Sequence, residues 1–186
     1  MSFCCLSIHA GEPALHDELL AVPGAFLKML RTLEHLKTLE IPVVLNFVIT
    51  RRNVDAMPAF IERFAALSGI IEFQLYFPHY EGLMTVHADA LKLAVSDVLP
   101  ALTETFRKAR SLGAEDKVFV YNMPPCSLPT IPMARLRNWE QESTSLLIDP
   151  KGVDDGRFKN ERRDRYKNAQ CKLCSLDARC LGYERG

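Results

Sequence analysis

Pro42-Val43-Val44-Leu45-Asn46-Phe47-Val48-Ile49 decides the fold class of this chain. The run after the proline is β-branched and nearly all apolar, which predicts a strand covered on both faces. Before it lies a helical segment, Ala25 to Leu39, in which Phe26, Leu30, Leu33, Leu36 and Leu39 recur at helical spacing. After it comes a second, Val54 to Leu67, with Met57, Phe60, Ile61 and Phe64 on one face and Asn53 placed as its N-cap. Phe3 to His9 and Ile70 to Phe77 read as two more strands, and Val118-Phe119-Val120-Tyr121 as a fourth. Ala10 to Gly24, rich in small and polar residues, reads as a loop. Ala88 to Leu112 reads as a long helical segment, kinked or divided at Pro100. Strands alternating with helices imply βαβ units, right-handed crossovers and a parallel sheet, so the fold class is α/β. Sites in such sheets lie at the carboxyl ends of the strands. That directs attention to Ser7, His9, Asn46, Thr50, Gln74, Pro78 and Gly82.

The totals narrow the function classes. A chain of 186 residues, 48% hydrophobic, builds one domain or a domain with a small appendage. Lys+Arg and Asp+Glu are both 23, so no global basic field argues for nucleic acid as a partner. The late run from Lys159 to Lys167 is basic but interrupted by Glu161 and Asp164, and reads as a solvated helix face. No stretch of apolar residues reaches membrane-spanning length. The start, Met1-Ser2-Phe3-Cys4-Cys5-Leu6, has neither a charged n-region nor a cleavage site, so a reducing, cytoplasmic compartment is expected. The 6 cysteines then read as metal ligands or buried thiols rather than disulfides.

Those cysteines hold the chemistry. Cys171, Cys174 and Cys180 crowd the tail as Cys-x2-Cys-x5-Cys, and Cys126 sits in the proline-framed loop Asn122-Met123-Pro124-Pro125-Cys126-Ser127. Two thiolates three residues apart can point at one centre, a third can close the face after a turn, and a distant fourth completes the set. Four thiolates suit an iron–sulfur cluster or a structural zinc. Cys4 and Cys5 read as core thiols. Leu128 to Asp155 shows no clean period and reads as an irregular connection with one short helix near Met133 to Trp139. The expected organisation is residues 1–121 as the α/β part and 122–186 as a cysteine-rich appendage.

Several segments together resemble the radical S-adenosylmethionine (radical SAM) enzyme family. Ser7-Ile8-His9-Ala10, Leu15-His16-Asp17 and Val22-Pro23-Gly24-Ala25-Phe26 are similar to the family's fourth strand and the loop after it. Asn46 to Asn53 resembles the fifth strand and its exit, and Phe73-Gln74-Leu75-Tyr76-Phe77-Pro78 with Gly82 the sixth. The tail resembles the SPASM or twitch segment that holds an auxiliary cluster in some members. The resemblance implies the second half of a partial (β/α)6 barrel followed by a segment binding an auxiliary [4Fe–4S] cluster through Cys126, Cys171, Cys174 and Cys180. It also implies that Ser7 and Asn46 face the amino-acid end or ribose of S-adenosylmethionine.

One departure from the family is large. The Cys-x3-Cys-x2-Cys motif that binds the radical-generating cluster is absent, and Cys4-Cys5 does not have its spacing. The chain begins where the family's fourth strand begins. It is therefore expected to be the C-terminal part of a longer enzyme, or to pair with a separate N-terminal half carrying that motif. By itself it is not expected to generate the radical. The substrate is left open between a peptide and a small molecule. The reading from another class is a non-enzymatic Cys4 zinc module that clips the tail and presents a partner surface.

The remaining polar candidates each have a structural reading beside the functional one. His9 is either a pocket residue or a satisfied structural histidine, and His16 with Asp17 is either a helix-start pair or a catalytic one. Arg51 and Arg52 are carboxylate or phosphate partners or surface residues. Gln74 is a pocket candidate, and His79 with Glu81 lies in a loop that would cap the site. Trp139 reads as packing.

Overall fold

In the computed structural model the described residues are 3–80, 82–137, 139, 147–149, 152–154 and 165–184. The chain forms two compact units, Met1–Val120 and Tyr121–Gly186. The sheet of the first unit runs in the order β1 (Cys4–Ser7), β2 (Val43–Val48), β3 (Ile70–Tyr76) and β4 (Val118–Tyr121), and the second unit's first strand is β5 (Leu136–Arg137). β1 pairs in parallel with β2, and β2 with β3, so the α/β class is as the sequence predicts.

The first unit is built around one face of this sheet. Leu45 and Phe47 of β2, and Phe73 and Leu75 of β3, are fully buried. Across them lies α3 (Met57–Phe64), whose Met57, Phe60, Ile61 and Phe64 are also fully buried. Phe60 sits at the centre, with ring centroids 5.0 Å from Phe47, 5.5 Å from Phe64 and 5.7 Å from Phe73. α3 packs in turn against α6 (Val95–Ser111), and α1 (Pro13–Leu20) against α2 (Ala25–Thr38). Gly11, in the exit from β1, lies so close to α3 that a Cβ there would come within 2.8 Å of the Ala59 carbonyl oxygen.

The strands lie side by side in sequence order. Right-handed crossovers between strands so ordered put every intervening helix on the same face. The other face is therefore less covered: on it Val44 of β2 is buried, but Asn46 and Val48 are only half-buried, so β2 is covered on both faces at its start and not at its end. Here the registers align Ser7 with Asn46 and Asn46 with Gln74.

Other expectations are corrected. The predicted loop after β1 holds α1, which starts at Pro13 and buries only His16, too little to give a periodic signal. The helix expected from Val54 divides into a 3-10 turn, Val54–Ala56, and α3. Asn53 does not cap it. Its Oδ1 accepts from the Thr50 amide and hydroxyl, and its Nδ2 donates to the carbonyls of His9 and Val48. The long helical segment does not break at Pro100, which is inside a continuous α6. The interruption falls at residues 92–94, after α5 (Ala88–Leu91), where the Asp97 carboxylate accepts from the Ala94 amide and starts a new helix. A further short helix, α4 (Leu83–Val86), precedes it. In place of the short helix near Met133 there is a 3-10 turn, Met133–Arg135, followed by β5. Cys5 is exposed and Cys4 half-buried, both on the edge strand, so neither is a core thiol. Two short strands, β6 (Leu147–Asp149) and β7 (Gly152–Asp154), pair antiparallel; the helix face proposed for the charged run falls largely on residues 159–164, outside the described residues, and within the run Arg165–Tyr166 is strand β8. Among the described residues no helix is long and apolar enough to cross a membrane.

Asp17 and His16 organise the β1–α2 connection. The two oxygens of Asp17 accept from the amides of Gly24 and Phe26 at 2.6 and 2.8 Å, closing the first turn of α2. The Phe26 bond, first among its causes, holds the carboxyl below the usual value of 3.8. His16 is 1% exposed, and its Nδ1 accepts from the His9 amide at 3.2 Å. Burial holds both His16 and His9 below the ordinary imidazole value of 6.5, and the neighbouring His16 lowers His9 further.

Two predictions follow from this packing. Phe60→Ala leaves a cavity between α3 and the sheet and costs about 3–5 kcal/mol, read from the urea midpoint. The folded state resists protonation of His16 while the unfolded chain does not. That contribution is complete above the unfolded value of 6.5 and declines as pH falls below it. His16→Gln flattens the decline in stability between about pH 6.5 and pH 5, measured by denaturation at each pH. Asp17 titrates below this window, since its unfolded value is 3.8 and its folded value lower.

Candidate metal centre

The second unit brings its four cysteines to one place. Cys126 lies in a 3-10 turn, Pro125–Ser127, that Pro124 and Pro125 preset by their fixed φ. The turn is closed by the Ser127 amide on the Pro124 carbonyl and the Leu128 amide on the Pro125 carbonyl, both at 3.0 Å. Buried Met123 and Leu128 anchor it on either side.

In the tail, Asn168 caps the 3-10 helix Ala169–Leu173 by accepting from the Cys171 amide at 3.2 Å. Successive turns then present the cysteines. The Cys174 amide donates to the Cys171 carbonyl at 3.0 Å, and the Cys180 amide to the Leu176 carbonyl at 2.8 Å. The ends of the segment are tied by three features. β8 (Arg165–Tyr166) pairs antiparallel with β9 (Tyr183–Glu184). Lys167 Nζ forms an ion pair with Asp177 Oδ1 at 2.9 Å and also donates to the Asp177 carbonyl. The Leu181 amide donates to the carbonyl of buried Trp139, whose ring lies under the Arg179 guanidinium.

Cys126, Cys171, Cys174 and Cys180 line a single cavity of about 230 Å³, together with Pro124 and Tyr183. All four are free thiols; Cys126 and Cys174 are exposed, Cys171 and Cys180 half-buried. Among the described residues no three His, Cys, Asp or Glu side chains are grouped closely enough to hold a metal ion as they stand.

The sulfurs have hydrogen-bond partners. Cys174 Sγ accepts from the Leu176 amide at 3.4 Å, and Cys180 Sγ from the Gly182 amide at 3.3 Å. The Tyr183 hydroxyl is 3.1 Å from Cys126 Sγ. Cys171 Sγ donates to Asn168 Oδ1 at 3.4 Å, a bond that only a protonated thiol can make. Burial pushes the Cys180 thiol up, the Gly182 amide draws it down, and the nearby Cys126 and Cys171 raise it again. The Tyr183 hydroxyl is also pushed up, first by its hydrogen bond with Cys126 and then by burial. A cation in the cavity would offset the smaller contribution that Cys126 and Cys171 make to both shifts.

The donor set fits a thiophilic group. Four sulfurs suit soft metals and iron–sulfur clusters, and the one acidic residue among the cavity walls, Asp177, is paired with Lys167. A mononuclear zinc needs every sulfur about 2.3 Å from one point. A cluster is held from around a cavity.

Gly182 has a structural reason to be glycine. Its φ is +88°, and a Cβ would run into the Tyr166 carbonyl oxygen of β8. Neither Tyr183, Asn168 nor Gly182 was singled out by spacing. The only sequence signal was their position one to three residues from a cysteine.

The other candidates are in the first unit. Asn46 Nδ2 donates to Gln74 Oε1 at 3.2 Å, and Gln74 Nε2 to Glu72 Oε1 at 2.8 Å. The partners that a strand asparagine needs thus come from β3. Ser7, exposed at the end of β1, is the third member of the row. His9 and His16 stack at 6.0 Å and act structurally through the bonds already described. Arg52 pairs with Glu18, and Arg51 is exposed. Buried Thr50 belongs to the Asn53 network. Pro78 is buried and His79 exposed, with its ring 6.0 Å from Tyr76. Gly82 adopts φ +58°, and Glu81 lies outside the described residues.

No family model and no curated protein matches the chain.

Gly182→Ala should displace β9 and draw the Gly182 amide away from Cys180. With that donor lost the Cys180 thiol is pushed further up, so at neutral pH less of it is thiolate and iodoacetamide alkylates it more slowly, as read by mass spectrometry of the metal-free protein.

Proposed function

We propose that Cys126, Cys171, Cys174 and Cys180 bind a [4Fe–4S] cluster, and that the chain acts within a radical SAM enzyme in which this cluster is the auxiliary one. The observation behind the reading is that four free thiols, one of them remote in sequence, line one cavity of about 230 Å³. The hydrogen bonds at Cys174 and Cys180 add to it, because amide donors stabilise thiolate sulfur. When bound, such a cluster supplies one-electron transfer or a coordination point for substrate.

The protein's own residues divide the work. The proline-set turn holds Cys126 in place before any metal arrives, and the Asn168-capped turn does the same for Cys171 and Cys174. Lys167 and Asp177 bind the two ends of the tail segment together. Ligation by Cys171 requires loss of the proton it shares with Asn168, so metal uptake releases protons and strengthens with rising pH.

In the first unit, the sequence order of the strands supports reading them as one arc of a (β/α) barrel. Ser7 and Asn46, aligned at the strand ends beside Gln74, are the proposed contacts to S-adenosylmethionine. The radical-generating cluster needs a Cys-x3-Cys-x2-Cys segment that these 186 residues do not contain. It is proposed to come from a separate part or partner. The substrate, peptide or small molecule, is met by the complete enzyme.

Anaerobic reconstitution with iron and sulfide, followed by metal and sulfide analysis, tests this. About four irons and four sulfides per chain are expected, lost in the Cys171→Ala, Cys174→Ala double variant. One zinc per chain without sulfide, lost in the same variant, would replace this reading with the structural zinc module.

A further inference from the structure

The four sulfurs do not find their hydrogen-bond donors in the same way. At Cys174 and at Cys180 the donor is the backbone amide two residues on, from Leu176 and Gly182. At Cys126 that amide belongs to Leu128, and it is committed to the Pro125 carbonyl at 3.0 Å. The 3-10 turn that holds Cys126 in place thus takes away the backbone donor its sulfur would have used. The Tyr183 hydroxyl, 3.1 Å from Cys126 Sγ, stands in its place.

We propose that Tyr183 is a positioning and tuning residue of the metal centre, donating its hydroxyl hydrogen to the Cys126 thiolate when that sulfur is a ligand. This rests on the cluster reading above. Between a thiol and a phenol either oxygen or sulfur can be the donor. Between a ligating thiolate and a phenol only the hydroxyl can donate, so the direction is set by ligation. A donor at a ligand sulfur draws off negative charge and favours the more reduced cluster, raising the potential. It also restrains the one ligand that comes from outside the tail.

The position of the hydroxyl is built rather than incidental. Tyr183 is paired with Tyr166 across the β8–β9 ladder, and the two rings lie 5.7 Å apart. The next residue back is Gly182, whose left-handed backbone brings its own amide to Cys180. Adjacent residues therefore serve two sulfurs of the same cavity, Gly182 through its backbone and Tyr183 through its side chain.

The test is Tyr183→Phe in the full chain, reconstituted anaerobically, with Tyr166→Phe as the comparison. The first variant keeps the ring and removes only the hydroxyl at sulfur. The second removes a hydroxyl from the neighbouring ring. Iron and sulfide content should match the wild type in both. The midpoint potential, followed by redox titration with electron paramagnetic resonance, should shift to more negative values in Tyr183→Phe alone. An unchanged midpoint in a fully loaded Tyr183→Phe protein, or an equal shift in Tyr166→Phe, would overturn the inference and leave the cluster reading intact. A wild-type chain that takes up no iron and sulfide would overturn both.

Discussion

The burial of Phe60 between α3 and the sheet is the constraint on which the first unit depends. Its ring meets Phe47 of β2, Phe73 of β3 and Phe64 of its own helix, so one side chain ties two strands to the helix that crosses between them. Because the strands follow one another in order, every helix is drawn to that side. The opposite face is free of this packing and can hold a polar row. The Ser7, Asn46 and Gln74 register is therefore a consequence of where the aromatic cluster sits.

The second unit solves a different problem. Its described elements are strands of two or three residues and 3-10 turns, too short to build a large apolar core. Order comes instead from proline, from a left-handed glycine, from an asparagine cap and from the Lys167–Asp177 pair. Each of these also orients a sulfur or ties down the segment that holds one. A metal bound as proposed would support the fold in turn, since its ligands would be the residues these turns position.

Chemistry and packing were unequally legible in the sequence. Strands β2, β3 and β4 and helix α2 were readable because apolar periodicity is a local property of the chain. Helix α1 was not, because it buries only one residue and starts without a side-chain cap. Pro100 misled in the other direction. A proline costs one backbone bond, and α6, with Val98, Leu102 and Phe106 buried, tolerates it. Asn53 was chemically a good N-cap, but the carbonyls of His9 and Val48 offered its side chain better-placed partners.

The sequence by itself determined the α/β class, the order of the main strands and the identity of four thiol donors, because these follow from period and residue type. Only the tertiary structure decided that one face of β2 is left partly open at Asn46 and Val48, since that depends on which side the crossovers fall. It alone brought Cys126 to the same cavity as Cys171, Cys174 and Cys180, and set the Tyr183 hydroxyl on its sulfur. Those contacts join residues some fifty positions apart, and no local spacing encodes a distance across a turn, a hairpin and a cavity.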